Sequence, residues 1–222
     1  MNDRRDGGSR PVVAVVDYGI GNLHSAHKAL AHLGADARLT ADAGEIAAAD
    51  AVVLPGVGAF GACMAALRDR GLEQPVLAAA SSGRPFLGIC VGMQMLFSSS
   101  EESPGVAGLD IIPGTIRWLP DTVKRPQMQW NVLHPRVDDE PMFAGLGDDA
   151  WFYFVHSLHG VPDDPATVVG TCEYGATLNV AFRAGNVFAV QFHPEKSAGA
   201  GLALLGNFVA GLGSPVGGGT GR

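Results

Sequence analysis

Three stretches set the terms for the fold: "VVAVVD" (12–17), "AVVLPG" (51–56) and "PFLGIC" (85–90). Each is continuously apolar rather than alternating, and the first two are rich in β-branched residues. Strands of that kind are buried on both faces, as in a parallel sheet covered by helices on either side. The segments between them carry helical spacing. Leu23, Ala26, Leu30 and Leu33 share a face after a possible N-cap at Asn22, and Gly34 ends that helix. "ADARL" reads as a short strand. Phe60, Met64 and Leu67 mark a second helix face, a third helix covers about 73–82, and a fourth begins near Gly92, with Met93, Met95, Leu96 and Phe97 anchoring it. This alternation predicts an α/β fold, a doubly wound, mostly parallel sheet of the flavodoxin-like kind. Ligands of such sheets sit at the carboxyl ends of the strands, here "DYGIGN", "LPGVG" and "GICVG".

The second half changes character. "IIPGTIRWL", "MQWNVL", "WFYFVHS", "TVVGTCEY", "LNVAFR" and "VFAVQFHPE" are short strand candidates separated by turns, which predicts an antiparallel extension of the sheet. A closing helix over about 197–210 has Ser197 as a possible N-cap. Residues 1–10 and 212–222 read as flexible tails around one domain at 11–211.

Composition narrows the function classes. Hydrophobic residues at 47% and charged residues at 17% indicate a globular chain rather than a disordered one. The formal net charge of -7 argues against nonspecific binding to nucleic acid or to an anionic membrane. No apolar run reaches a membrane-spanning length, and the N-terminus lacks the apolar core of a secretory signal. Cys63, Cys90 and Cys172 show no paired or metal-ligand spacing, which fits a reducing, cytoplasmic setting. His24, His27 and His32 lie on one helix without a carboxylate or cysteine to join them, so no metal site is expected.

The chemistry concentrates in two places. "GICVG" sets Cys90 between a strand and a helix, in the cysteine form of a nucleophile elbow. Such a turn lifts the side chain above the sheet, and the following helix start favours a thiolate. Taken alone, Cys90 also suits a small buried residue beside a glycine turn. Near the other end, "QFHPE" places His193 at a strand terminus with Glu195 two residues on. In extended chain the two share a side, so the carboxylate can hold one ring nitrogen and turn the other toward a thiol. The remaining need is an oxyanion hole. The N–H of Val91 supplies one donor, and the flexible "LPGVG" loop, with Val57 between Gly56 and Gly58, supplies another. His156, in "YFVHS", is either structural or part of a pocket wall. Neither glycine-rich loop is a nucleotide fingerprint: both lack the residues of a Walker A or dinucleotide turn.

Together "VDYGIGNL", "LPGVGAFGACM", "GICVGMQMLF", "WNVL", "YFVHS" and "QFHPEKS" resemble the triad-type (class I) glutamine amidotransferases. Within them, they resemble the glutaminase subunits of imidazole glycerol phosphate synthase, over about residues 12–209. The resemblance implies a Cys90–His193–Glu195 triad, an oxyanion hole from Val57, Gly58 and Val91, and L-glutamine held by Gly58, Gln94, His156 and Ser157. It further implies that Asn22, Trp130, Tyr153 and Lys196 lie near an ammonia exit and a partner interface. The partner is a (β/α)8-barrel cyclase subunit, the assembly a heterodimer under allosteric control, and neither metal nor organic cofactor is needed. The chain departs from the usual pattern at Gln127 and Gln129, at Leu158 in place of tyrosine, and at Ala198 in place of glycine. Gln127 and Gln129 are expected to flank the interface. Two other readings share the motifs: ammonia supply to another pathway, such as anthranilate or folate precursors, and a catalytically silent binding subunit.

Overall fold

The computed structural model describes residues 10–212. The tails expected at 1–10 and 212–222 therefore lie, apart from Arg10 and Leu212, outside the described residues. The strands are β1 (Val12–Val16), β2 (Asp36–Thr40), β3 (Ala51–Gly56), β4 (Phe86–Cys90), β5 (Phe97–Ser100), β6 (Ile112–Trp118), β7 (Gln127–Val132), β8 (His134–Pro135), β9 (Trp151–His156), β10 (Leu158–Pro162), β11 (Val168–Glu173), β12 (Thr177–Ala184) and β13 (Val187–Val190). The helices are α1 (Leu23–His32), α2 (Ala43–Ala48), α3 (Phe60–Asp69), α4 (Glu73–Ser81), α5 (Val91–Met95) and α6 (Ala198–Gly211).

The main sheet has the order β2-β1-β3-β4-β13-β12-β11-β8. From β2 to β13 all neighbours are parallel, and from β13 to β8 all are antiparallel. The three apolar runs became β1, β3 and β4, whose residues are nearly all buried, as strands covered on both faces require. The reversal of order after β1 puts β3 and β4 side by side in the centre. Their register pairs Gly56 with Cys90, so both chains end at one level.

The antiparallel extension is narrower than the sequence implied. Only β12, β11 and β8 extend the main sheet, while "VFAV" lies parallel to β4 as β13. The strands β10, β6 and β5 form a separate three-stranded sheet, and β7 with β9 a two-stranded ribbon. Period-2 patterning reveals strands but not which neighbour each one finds. Phe97 on β5 meets Phe182 on β12 edge-on, with ring centroids 5.2 Å apart, and joins the small sheet to the large one. Gly160 on β10 passes between them where a Cβ would lie 2.6 Å from both rings.

Several local expectations are corrected. The helix after Cys90 stops at Met95, and Phe97 opens β5 instead of anchoring that helix. α2 falls in a stretch with no expected helix. Its N-cap is Asp42, whose carboxylate accepts the Glu45 N–H at 2.9 Å. Asn22 and Ser197 stand at N-cap positions, yet neither side chain caps its helix. The Ser197 hydroxyl donates to the His193 carbonyl at 2.6 Å and accepts the Tyr153 N–H at 2.9 Å. It therefore ties β9 to the turn that carries His193.

At the centre of the site, Gly92 lies so close to β3 that a Cβ would collide with the Leu54 carbonyl oxygen. Backbone cannot yield there as a flexible side chain could. Gly92→Ala is expected to destabilise the fold by on the order of 3 kcal/mol in urea-denaturation measurements. The exposed Gly71→Ala, which meets no neighbour but has φ +67, should cost roughly 1 kcal/mol.

Candidate active site

β4 delivers Cys90 into a conformation with φ +55 and ψ −116, rare for a residue with a Cβ. The turn into α5 enforces it, as expected of an elbow that projects its side chain above the sheet. α5 is only five residues long, so any electrostatic support for a thiolate comes from its first-turn N–H groups rather than from a long macrodipole. Cys90 is 4% exposed at the base of a cleft of about 270 Å³. Val57, Gly58, Val91, Gln94, His156, Ser157, His193 and Lys196 also line that cleft. Four distant stretches of sequence thus meet at one cleft.

His193 and Glu195 do form a pair: His193 Nδ1 lies 2.8 Å from Glu195 Oε1, with both side chains 2% exposed. The route differs from the one expected. β13 ends at Val190, and Pro194–Lys196 form a single 3-10 turn with Pro194 in its first position. The turn, not an extended i,i+2 pairing, brings the carboxylate back to the ring, and proline's fixed φ suits that position. The His193 N–H donates to the Tyr153 carbonyl at 3.0 Å, docking the turn on β9.

Burial works against a charged His193 ring, but hydrogen bonds to Cys90 and Glu195 outweigh it and push its pKa up to about 10. Both partners favour the protonated ring, so His193 is suited to hold the proton that Cys90 gives up. The other two cysteines differ. Burial pushes Cys172 up to about 12 and raises Cys63, so both stay protonated thiols.

The loop after β3 faces Cys90. Gly58 adopts φ +88 with open space around it. Gly56 packs so tightly that a Cβ would fall 2.6 Å from the Gly92 nitrogen and 2.7 Å from the Tyr18 hydroxyl. The Tyr18 hydroxyl donates to the Pro55 carbonyl at 2.8 Å, and the Cys63 thiol to the Val57 carbonyl at 3.2 Å. Two buried donors thus hold this loop from below.

Several participants were not anticipated. Gln191 donates to Cys90 Sγ at 3.8 Å and accepts from Gln94 Nε2 at 3.0 Å. Gln94 lines the cleft, as expected, but its amide is tied to Gln191. The signal was present in "VFAVQF", where a glutamine interrupts an apolar strand. Glu102 also reaches the cleft, its carboxylate accepting the Phe60 N–H at 2.7 Å. It sits just after β5, in "SSSEESPG", a stretch that carries no motif of its own.

The four residues assigned to the exit and interface divide. Trp130 and Tyr153 are cross-strand partners on β7 and β9, with rings 6.2 Å apart and Trp130 45% exposed. Lys196 lines the cleft itself. Asn22 donates from Nδ2 to Glu195 Oε1 at 3.2 Å, a direct contact with the His–Glu pair. Gln127 does not lie on a surface: it is fully buried on β7 opposite His156, and neither amide atom has a hydrogen-bond partner among the described residues. Gln129 is exposed. Ala198 has φ +47, a conformation that glycine adopts without strain, which accounts for glycine being usual there. Among the described residues no cluster of histidine, cysteine or carboxylate is arranged to hold a metal, and no helix is long and apolar enough to cross a membrane.

His156 is 5% exposed, its Nδ1 lies 2.7 Å from the Leu158 carbonyl, and burial lowers its pKa to about 4. Between about pH 4 and its unfolded value near 6.5, the unfolded chain holds a proton on this ring that the folded chain does not. Stability from the buried neutral ring is therefore complete above pH 6.5 and falls as pH drops toward 4. His193 has the opposite sign: its contribution is complete below pH 6.5 and is lost as pH rises through about 10. Urea melts across pH should show His156→Gln removing the uptake of about one proton on unfolding from the acid limb. His193→Gln should remove the corresponding release from the alkaline limb.

Known proteins match the chain over nearly all of its described length. The family model "Glutamine amidotransferase class-I" matches residues 14–212. The chain is 51% identical to imidazole glycerol phosphate synthase subunit HisH of Synechococcus elongatus, over 90% of this chain and 94% of that one. It is 50% identical to the HisH subunit of Moorella thermoacetica, with the same coverage. The HisH subunit of Methanothermobacter thermautotrophicus is 48% identical, over 89% of this chain and 98% of that one. Among solved structures, PurLQS of Thermotoga maritima superposes with a TM-score of 0.70 at 19% identity, covering 91% of this chain and 98% of that one, a likeness of fold. The chain therefore belongs to the class-I glutamine amidotransferase family and, within it, to the HisH subunits of imidazole glycerol phosphate synthase.

Proposed function

We propose that the chain hydrolyses L-glutamine to glutamate and ammonia through a Cys90 thioester and passes the ammonia to a cyclase subunit. That subunit is read as a (β/α)8 barrel in a heterodimer, making imidazole glycerol phosphate and an aminoimidazole carboxamide ribotide in histidine biosynthesis. The observation that carries the reading is the convergence of Cys90, at a strained elbow, with the buried His193–Glu195 pair in one cleft.

In this mechanism Cys90 Sγ attacks the side-chain amide carbon of glutamine, and the thiol proton passes to His193. The carbonyl oxygen becomes an oxyanion, received by the Val91 N–H and by the Val57–Gly58 peptide. Collapse expels ammonia, which takes its proton from His193, and leaves the thioester. Water, deprotonated by His193, then attacks the thioester carbon, and glutamate leaves as Cys90 recovers its proton. Glu195 holds the ring in register throughout. Gln94, Gly58 and the backbone at His156–Ser157 hold the amino-acid end. Glu102, a carboxylate lining the same cleft, suits the α-ammonium group. Asn22, Trp130, Tyr153 and Lys196 border the route to the partner, and the exposed Trp130, Trp151 and Met128 give the β7–β9 ribbon an apolar surface for it. The chemistry requires no metal or organic cofactor. One amidotransferase domain over residues 11–211 carries it, and three free, buried thiols suit a reducing cytoplasm.

Glutaminase assays of the chain, with and without the cyclase subunit and its nucleotide substrate, test this reading. Little turnover is expected alone and strong stimulation in the complex, as a loop completed by its partner would give. Cys90→Ser and His193→Ala should each lower turnover by roughly a thousandfold or more while leaving subunit binding intact. Glu195→Gln should cost less than His193→Ala. A glutamine-like chloroketone should label Cys90 and spare Cys63 and Cys172. Unmodified Cys90 in the fully loaded complex would mean a silent binding subunit.

A further inference from the structure

The Glu195 carboxylate is buried, yet the described residues give it only two hydrogen bonds, both on Oε1. One comes from His193 at 2.8 Å and the other from Asn22 Nδ2 at 3.2 Å. Its Oε2 has no partner among them. The terminal torsion of a glutamate is broad and roughly two-fold, with no strong intrinsic preference. A carboxylate tethered only by the ring it is meant to orient would leave the pair free to turn together. Asn22 supplies the independent tether, from the start of α1 and 173 positions away in sequence.

Asn22 is itself fixed. The Ser25 hydroxyl lies 3.0 Å from Asn22 Oδ1 and donates to it. Exchanging the amide oxygen and nitrogen would set Oδ1 against the Glu195 carboxylate, so one orientation alone gives both contacts a donor and an acceptor. The Asn22 side chain is not occupied in capping the helix backbone, although it stands where capping residues usually act.

We propose that Asn22 and Ser25 are positioning residues of the glutaminase site, a relay in which Ser25 orients Asn22, Asn22 locks Glu195, and Glu195 aligns His193. This rests on the triad reading given above. A neutral amide fits that role because it holds the carboxylate without adding a cation that would weaken its pull on the imidazolium. The titratable groups around the His193–Glu195 pair include Cys90, Tyr153, His156 and Lys196, and α1 carries no acidic residue.

Steady-state glutaminase kinetics across pH test the relay on the assembled complex, at saturating cyclase subunit. The variants are Asn22→Ala, Asn22→Asp and Ser25→Ala, with His193→Ala as the reference. Asn22→Ala should lower kcat on the order of tenfold, the effect of one hydrogen bond to a charged group, with KM for glutamine unchanged. Ser25→Ala should lower it roughly two- to threefold in the same way. Asn22→Asp should move the acid limb of kcat/KM to higher pH, because two facing carboxylates share a proton. A purely structural role would leave that limb in place. An unchanged kcat in Asn22→Ala, an unmoved acid limb in Asn22→Asp, or a loss that disappears once the cyclase subunit is saturating would each overturn the relay. If that happens while His193→Ala is inactive, the triad reading stands and the relay alone fails. An active His193→Ala would remove both. Should Asn22→Asp fail to fold, Asn22→Ala and Ser25→Ala still decide the question.

Discussion

The backbone of Gly92 rests against the Leu54 carbonyl of β3, and Gly56 rests against the Gly92 nitrogen. No side chain fits between these segments. That contact joins the end of the nucleophile strand to the loop beside it, and the rest of the site inherits its geometry. Cys90 can hold φ +55 because the chain on either side is clamped, by β3 and β13 before it and by the packed start of α5 after it. The loop at Val57–Gly58 stands beside the thiol because β3 and β4 end in register.

Around this clamp the site is built from side chains buried with their polar partners. His193, Glu195, Gln94 and Gln191 have side chains shielded from solvent, and each finds a hydrogen bond within the protein. In a low-dielectric setting such contacts are stronger, and an unmatched one is costly. The charge balance follows. Cys90, a ring whose protonated form its neighbours favour and a carboxylate form a compact set, while Cys63 and Cys172, without such partners, are pushed toward the neutral form. One of three similar cysteines is thereby singled out by surroundings rather than by its own chemistry.

The legible parts of the sequence were those governed by local physics. The runs at 12–17, 51–56 and 85–90 read as doubly covered strands and are so. The glycines around Cys90 and Val57 marked turns. His193 and Glu195 were close enough in sequence for any compact local geometry to join them, so the pairing survived even though a 3-10 turn, not an extended chain, produced it. What was illegible depended on neighbours distant in sequence. β6, β7, β9 and β10 carry ordinary strand patterns, and nothing in those patterns assigns them to separate small sheets. Gln127 looked like a surface variation until β7 buried it opposite His156. Asn22 and Ser197 looked like helix caps because their residue types favour that role. Their side chains instead serve partners that folding brings from elsewhere.

By itself, the sequence determined a parallel α/β core, a cysteine at a strand end, a loop of flexible backbone beside another strand end, and a histidine–glutamate pair near the carboxyl terminus. Each follows from hydrophobic period, glycine placement or short spacing, which act within a few residues. Tertiary structure alone decided that these pieces share one cleft. It also decided that Gln191 touches the thiol, that Asn22 holds Glu195, and that Glu102 lines the same pocket. These contacts depend on strand order and register, which are fixed by the packing of the whole sheet.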